Sequence, residues 1–181
     1  INLLDTHAIE SGAINLTVEQ LSLTGIVISE TENYRERANA KNIQIYVQSS
    51  PSDIDIIADE QILHEVLDNL ISNAVKYSPL NKNIYVTTTQ VALDGKDKIR
   101  VTIRDEGQGI SDDDMKKMFG KFQRLTAKPT GGEHSTGLGL SIVKKLVEMM
   151  GGRVWCESEG IGFGATFIVE FPAPENQNKS I

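Results

Sequence analysis

The stretch that decides the fold is DEQILHEVLDNLISNAVKY, residues 59–77. Asp59 is a good helix N-cap residue, and Pro79 predicts that the helix ends after Tyr77, because a proline disfavours helical geometry in the residue before it. Apolar side chains recur every three or four positions and form one stripe at Leu63, Val66, Leu67, Leu70, Ile71, Ala74 and Val75. The stretch therefore predicts a long amphipathic helix with one face on a core.

The opposite face of this helix carries an unusual set of polar residues. At about 100° per residue, Glu65, Asn69, Asn73 and Lys76 fall within an arc of roughly 80°. Asn is a mediocre helix former, and solvated faces usually carry Glu, Lys or Gln instead. Amide oxygens suit Mg²⁺ and a lysine suits phosphate. By itself the pattern also fits an ordinary solvated face.

The rest of the chain alternates between helix and strand patterns. Strand or extended patterns occupy residues 14–16, 43–47, 84–91, 99–103, 154–157 and 165–171, with a turn at 94–95. Helical patterns occupy residues 23–41 and 136–150, and Gly151-Gly152 ends the second. This order predicts an α/β fold of the two-layer sandwich type, in which a mixed sheet carries helices on one face.

Three glycine-rich segments follow the long helix. Asp105–Ile110 (DEGQGI) comes directly after a predicted strand, where a carboxylate can accept a hydrogen bond from an amine such as that of adenine. Ser135–Leu140 (STGLGL), after Gly131-Gly132, opens a helix, and N–H groups at a helix N-terminus suit phosphate. Gly160–Phe167 (GIGFGATF) precedes the last strand. Each segment alone also fits a plain turn or cap; the second is neither a Walker A loop nor a Rossmann fingerprint.

Composition excludes several classes of function. The 181 residues carry 18 Lys+Arg against 25 Asp+Glu, a formal charge of −7, which argues against nucleic-acid binding. The single Cys156 fits a buried strand residue in a reducing compartment, and three scattered His do not form a zinc site. No apolar run approaches the roughly 20 residues of a membrane span, so no membrane contact is expected from this fragment.

Taken together, the segments resemble the catalytic and ATP-binding domain of two-component sensor histidine kinases. The resemblance covers residues 23–172 and rests on five boxes in register: Asn69–Ser78 (N box), Asp105–Ile110 (first glycine box), Met118–Leu125 (Phe box), Thr136–Leu140 (second glycine box) and Gly162–Phe167 (third glycine box). It implies a Bergerat-type ATP-binding fold with a mobile ATP lid at residues 111–136. It also implies three segments: the end of a dimerisation helix and a linker (1–22), the catalytic domain (23–172) and a tail (173–181).

The resemblance also implies roles for individual residues. Asn73 would coordinate Mg²⁺, with Asn69 and Lys76 near the phosphates as the catalytic set. Asp105 would hold the adenine amino group. The other expected nucleotide contacts are Tyr77, Gly107, Gly109, Ile110, Phe122, Arg124, Thr136, Gly137, Leu138, Gly139, Leu140 and Thr166. Phe119 and Phe122 would anchor the lid.

One position favours a kinase over a hydrolase. Hydrolytic relatives place a general-base Glu one turn before the Mg²⁺-binding Asn, whereas this chain has Asn69 there, and Glu65 lies a further turn away. The expected reaction is transfer of the γ-phosphate of ATP to a histidine, whose imidazole is its own nucleophile. A hydrolytic ATPase, a nucleotide-binding scaffold and a Ser/Thr-directed kinase of the same superfamily are the alternatives.

The expected partners lie outside the chain. His7, His64 and His134 lack the sequence context of a phosphoacceptor, so the resemblance implies a separate dimerisation domain that carries the acceptor. It further implies a response regulator receiver domain and a homodimeric full-length protein. The expected location is cytoplasmic, whether or not the full-length protein is anchored in a membrane.

Overall fold

The computed structural model describes residues 15–49, 54–93, 96–123, 125–131 and 137–174. The helices are α1 (Leu23–Asn33), α2 (Arg35–Ala40), α3 (Glu60–Tyr77), α4 (Asp112–Lys117) and α5 (Gly139–Met149). The strands are β1 (Val18–Ser22), β2 (Gln44–Ser49), β3 (Asp55–Asp59), β4 (Asn83–Leu93), β5 (Lys96–Asp105), β6 (Arg153–Glu157) and β7 (Ala165–Pro172).

A five-stranded mixed sheet forms one layer of the domain. Its strand order is β2-β4-β5-β7-β6, and only β2 and β4 among these neighbours run parallel. Strands β1 and β3 form a separate antiparallel pair. The predicted mixed-sheet sandwich is therefore confirmed.

The core lies between this sheet and the helices α3 and α5. Alternate residues of β4 and β5, such as Ile84, Val86, Val101 and Ile103, are fully buried. All seven residues of the predicted α3 stripe are buried. Both helix and sheet thus bury the apolar positions that their periodicity assigns to the core.

Helix α3 begins as predicted. The Asp59 carboxylate accepts a hydrogen bond from the Ile62 N–H at 3.1 Å, and its other oxygen accepts one from the Thr17 N–H at 2.8 Å. The N-cap therefore also fixes the chain that leads into β1. This side chain joins the start of the helix to the β1–β3 pair.

The single helix predicted over residues 23–41 is wrong. The structure breaks it at Tyr34, whose φ of −101° and ψ of −4° end α1 before α2 begins. The Tyr34 ring is buried and its hydroxyl bonds to Asp68 of α3. Because the contact is with another helix, composition along residues 23–41 does not reveal it.

Other predicted boundaries also shift. The extended stretch expected at residues 14–16 is not a strand at Asn15 and Leu16, and Ile14 lies outside the described residues. The real strand β1 begins at Val18 and is mostly exposed, so it lacks the apolar alternation of a buried strand. Its partner β3 was not predicted either.

The helix predicted from residue 136 begins later. Helix α5 starts at Gly139, and Thr136 lies outside the described residues. The expected lid also contains a helix, α4, which was not predicted and which is capped by the Ser111 hydroxyl accepting from the Asp114 N–H at 3.2 Å. The turn at residues 94–95 lies outside the described residues as well. In the part of the chain that the structure describes, no helix is both long and apolar enough to cross a membrane.

Candidate functional site

A cavity of about 210 Å³ opens between α3, the loop after β5 and the start of α5. The predicted residues that line it are Asn69, Asn73, Lys76, Tyr77, Asp105, Gly109, Ile110, Gly137, Gly139 and Leu140. The structure thus brings together residues 69–77, 105–110 and 137–140, which are far apart in sequence. This convergence is the main structural support for the predicted site.

The polar face of α3 forms one wall of the cavity. Asn69, Asn73 and Lys76 are half-buried and line the cavity. The apolar stripe on the opposite side of the helix fixes their direction, because it packs into the core. Two amide groups and one ammonium group therefore face the same enclosed space.

Asp105, the last residue of β5, lies at another side of the cavity. Its Oδ1 accepts hydrogen bonds from the N–H groups of Gly107 (2.8 Å) and Ala165 (3.3 Å), and Oδ2 takes part in neither bond. Burial raises the pKa of this carboxyl to about 6, although the two backbone hydrogen bonds oppose the shift. At neutral pH the group is an acceptor in a desolvated position, which suits an exocyclic amine.

Two glycines show that the walls leave no room for a side chain. Gly109 has a φ of +72°, and a Cβ there would overlap the carbonyl oxygen of Gly160. A Cβ at Gly139 would overlap Oδ1 of Asn69. The first turn of α5 therefore runs directly against the polar face of α3.

The start of α5 is suited to an anion. Its N-cap residue, Leu138, provides no side-chain hydrogen bond to the first turn, and the helix is 11 residues long. Uncapped N–H groups and the positive end of the helix dipole attract phosphate. Because Gly139 and Leu140 line the cavity, this helix end borders the same space as Asn69 and Lys76.

Five other residues were predicted to contact the nucleotide, and the structure does not place them on the cavity wall. Gly107, Leu138 and Thr166 do not line the cavity, although neighbours of each do. Arg124 and Thr136 lie outside the described residues. The nucleotide contacts of all five residues stay predictions.

The expectation that both lid phenylalanines act as anchors is half wrong. Phe119 is partly buried and packs on the core, as expected. Phe122 is 72% exposed and does not line the cavity, and its backbone has a φ of +55°. The positive φ turns the chain at this point, so the side chain leaves the core.

Several cavity residues were missed by sequence reasoning: Ser72, Gln108, Met118, Gln123, Leu125, Ala127, Ala165 and Phe167. Gln108 stands inside the first glycine box, and Ser72 lies three residues after Asn69, so both could have been found from their positions. The others belong to the loop after α4 and to β7. Their approach depends on how the chain folds back, which no local pattern reports.

The donors in the cavity fit Mg-ATP. Among the described residues, no three His, Cys, Asp or Glu lie close enough to hold a metal ion. The hard oxygen donors on the α3 wall include the amides of Asn69 and Asn73. Mg²⁺ usually keeps several waters and binds through a few protein oxygens plus substrate phosphates. The site therefore suits a Mg²⁺ ion that is held jointly with a nucleotide.

Two further residues with reactive side chains, Cys156 and His64, do not line the cavity. Cys156 is buried in β6, and burial together with the charge of Asp105 raises the pKa of its thiol to about 12, so it is not a thiolate at neutral pH. His64 lies on α3, where its Nδ1 bonds to the buried carboxylate of Glu30.

Comparison with known proteins agrees with this geometry. Residues 58–175 match the family of histidine kinase-, DNA gyrase B- and HSP90-like ATPases. The circadian input-output histidine kinase CikA of Synechococcus elongatus is 32% identical over 94% of this chain and 22% of its own length. The autoinducer 2 sensor kinase/phosphatase LuxQ of Vibrio parahaemolyticus is 30% identical over 97% of this chain and 21% of its own. The chain thus spans about a fifth of the length of these curated relatives.

Solved structures show the same fold. Full-length ShkA, crystallised in complex with AMPPNP, has a TM-score of 0.80 and 32% identity over 94% of this chain and 34% of its own. The mycobacterial sensor histidine kinase MprB has a TM-score of 0.74 and 25% identity over 86% of this chain and 98% of its own. The chain therefore belongs to the family of histidine kinase-, DNA gyrase B- and HSP90-like ATPases, and its relatives are sensor histidine kinases.

Proposed function

We propose that this chain binds Mg-ATP in the cavity and presents the γ-phosphate to a histidine on a dimerisation domain, for relay to an aspartate of a response regulator. The observation that carries the proposal is the convergence on one cavity of Asp105, the amide and lysine face of α3, and the N-terminus of α5, whose N-cap residue Leu138 makes no side-chain hydrogen bond to it. Asp105 suits the base of a nucleotide, the α3 face suits its phosphates with a bound Mg²⁺, and the start of α5 suits its phosphate oxygens.

Each residue then has a binding role. Asp105 accepts from the adenine amine, with Gly107, Gly109, Ile110 and Tyr77 around the base. Asn73 would ligate the metal, and Asn69 and Lys76 lie near the phosphates, where the Lys76 ammonium group offsets their negative charge. Gly137, Leu138 and Gly139 donate N–H groups to the phosphate chain, with Thr136 and Leu140 on either side of them, and Arg124 and Thr166 complete the nucleotide contacts. Mg²⁺ supplies charge neutralisation of the transferring phosphoryl group.

The chemistry is positioning, not covalent catalysis. Binding at both ends of the nucleotide holds the γ-phosphate in line for the acceptor imidazole, which brings its own lone pair. Transfer forms a phosphorus–nitrogen bond to the histidine and breaks the bond to the β-phosphate oxygen, which leaves ADP. No general base on this chain is required.

The cavity wall favours transfer over hydrolysis. Asn69 lines the cavity beside Gly139, and an amide cannot take a proton from water. Glu65 is half-buried one turn earlier on α3 and does not line the cavity. A hydrolytic ATPase of the same fold and a scaffold that only binds nucleotide are the second and third candidates.

The acceptor and the partners lie outside the described part of the chain. The domain assignment (1–22, 23–172, 173–181), the dimerisation domain, the response regulator and the cytoplasmic location belong to this proposal. Strand β1 pairs with β3, so residues 18–22 are joined to the domain body although the proposed boundary lies after them.

The test uses the native protein that contains this chain together with its upstream segment. It is incubated with γ-labelled Mg-ATP, and label on protein is compared with free phosphate. Acid-labile, base-stable label that Asn73→Ala abolishes is expected. Asn39→Ala, an exposed Asn of α2 away from the cavity, is the matched control and should keep the label.

Two other outcomes would identify the alternatives. Steady release of free phosphate without label on the protein would mean a hydrolase. ATP binding with neither label on the protein nor free phosphate would mean a scaffold that only binds nucleotide, and failure to bind ATP at all would overturn the proposal.

A further inference from the structure

The C-terminal end of α3 is capped by other parts of the chain. The last four carbonyls of an α-helix have no hydrogen-bond partner within the helix. Three of those of α3 accept bonds from elsewhere: Val75 O from Lys41 Nζ (2.6 Å), Lys76 O from the Thr130 N–H (3.0 Å) and Tyr77 O from Gln108 Nε2 (3.3 Å). This end also carries Lys76 and Tyr77 of the cavity wall.

Gln108 joins three segments through its side-chain amide. Besides Tyr77 O, Nε2 donates to the Lys128 carbonyl at 2.6 Å, and Oε1 accepts from the Lys128 N–H at 3.3 Å. The backbone oxygen of Gln108 accepts from the Gly162 N–H at 2.7 Å, which holds the glycine loop in place. The two bonds between the Gln108 side-chain amide and the Lys128 backbone therefore fix residue 128 relative to the side of the cavity that residues 105–110 form.

Thr130 makes a second attachment two residues later. Its hydroxyl donates to the Ser78 carbonyl at 2.7 Å and accepts from Lys41 Nζ at 2.5 Å. The ammonium group of Lys41 thus lies at the negative end of the α3 dipole, where a cation is favoured. Residues 128 and 130 are both held against the end of this helix.

The attached segment forms part of the cavity wall. Leu125 and Ala127 line the cavity, and the next residues along the chain are those that Gln108 and Thr130 hold. Opening that wall requires the bonds between Gln108 and Lys128 and those of Thr130 to break, which removes the Thr130 donor from the Lys76 carbonyl of α3. We call the side chains of Gln108, Thr130 and Lys41 the latch.

We propose that Gln108, supported by Thr130 and Lys41, is a positioning residue that holds segment 125–131 over the cavity and sets how fast nucleotide enters and leaves. The inference rests on the proposed function for its ligand. Its contacts join parts of the chain itself, so they can be tested separately from nucleotide binding.

The first experiment uses the chain without nucleotide. Hydrogen exchange of the Lys128 and Thr130 amides is compared between wild type and Gln108→Leu, which keeps the bulk of the side chain and removes both polar atoms. Exchange at Lys128 should become about tenfold faster, because loss of neutral hydrogen bonds destabilises the closed segment. Gln90→Leu, an exposed residue of β4 outside the cavity, is the matched control and should change nothing.

The second experiment measures nucleotide kinetics by stopped flow with a fluorescent ATP analogue and Mg²⁺. Gln108→Leu should raise the association and dissociation rates together, dissociation by about tenfold, with a smaller change in Kd. Thr130→Val, which keeps the β-branched shape, should act in the same direction. Thr102→Val, on a strand away from the cavity, should not.

A charge variant separates positioning from simple packing. Gln108→Glu keeps the side-chain length but points a carboxylate at the carbonyls of Tyr77 and Lys128. Its dissociation rate should match Gln108→Leu at pH 8 and fall toward wild type at low pH, where a protonated carboxyl can donate. A pH-independent ratio between the Glu and Leu variants would contradict the latch.

The outcomes distinguish the two proposals. If wild type binds nucleotide and both Gln108→Leu and Thr130→Val leave amide exchange and dissociation within twofold, the latch is overturned and the proposed function stands. If wild type binds no nucleotide, the proposed function fails. The amide exchange then still tests the latch: faster exchange in Gln108→Leu supports it, and unchanged exchange overturns it.

Discussion

At the scale of the residue, Asp105 shows a conflict between binding and stability. Its carboxylate is buried at the end of β5 and retains only backbone donors to one oxygen. The raised pKa, about 6 against an ordinary 3.8, means that the folded chain binds this proton more tightly than the unfolded chain. The group therefore destabilises the fold progressively as the pH rises from about 4 to about 6.

We predict that Asp105→Asn stabilises the nucleotide-free chain at pH 7.5 while it weakens ATP binding. A shift of about two pKa units corresponds to at most roughly 2–3 kcal/mol, and the gain should vanish near pH 4, where Asp105 is protonated. Urea unfolding at the two pH values measures the difference. Asp113→Asn, which changes an exposed carboxylate, is the control. If Asp105→Asn changes the free energy of unfolding by the same amount at both pH values, the argument is contradicted.

At the scale of the element, the start of α5 is placed by its contact with α3. Gly139 begins the helix with its Cα beside the amide of Asn69. A glycine is a poor helix former, so intrinsic preference alone would favour alanine here. The contact with the polar face of α3 explains why this position carries no side chain.

We predict that Gly139→Ala folds normally, with an unchanged or higher Tm, and binds ATP about tenfold more weakly. The new Cβ displaces the flexible Asn69 side chain and leaves the backbone in place, while alanine gains up to about 1 kcal/mol of helix propensity. Calorimetry and titration with ATP measure the two effects. Gly25→Ala is the control: its added Cβ meets only ordinary contacts in α1, so ATP affinity should stay unaltered. If the two variants bind ATP equally well, Asn69 does not need its present position.

At the scale of the whole molecule, Glu170 ties three strands together. Its buried carboxylate accepts from Arg100 Nη2 of β5 at 2.7 Å and from Arg153 Nε of β6 at 2.9 Å. Burial alone would raise the pKa of Glu170, but the two guanidinium groups outweigh it and hold the pKa below 4.5. The stabilisation is therefore present above that pH and is lost as the pH falls through the folded-state pKa.

We predict that Glu170→Gln lowers the free energy of unfolding by about 1–3 kcal/mol at pH 7, because both arginines lose a charged acceptor. The difference from wild type should shrink as the pH falls through the lowered folded-state pKa of Glu170, because the wild-type side chain then also becomes neutral. Urea unfolding at pH 7 and at lower pH measures it. Glu148→Gln, an exposed partner of Lys144, should have little effect at either pH, and a similar loss there would point to net charge instead of this cluster.

The sequence by itself determined the elements whose signals are local. The apolar stripe of residues 59–77 predicted both the helix and the direction of its polar face, because a 3.6-residue repeat assigns each position to one side. The strands of the large sheet followed from alternation, with bounds that differ from the predicted ones by at most three residues. Asp105 and the glycine boxes were predicted as candidate binding residues from their residue types. The resemblance then assigned them to one nucleotide site.

Only the tertiary structure decided the features that depend on chain segments meeting. Tyr34, at which the predicted helix is broken, bonds to Asp68 of another helix, and Gln108 and Lys41 hold residues that lie 20 and 89 positions further along the chain. The exposed strand β1 is ordered by its pairing with β3. A local pattern reports the side of an element that is buried, but it cannot report which distant backbone carbonyl will need a donor, because that follows from the packed arrangement of the whole chain.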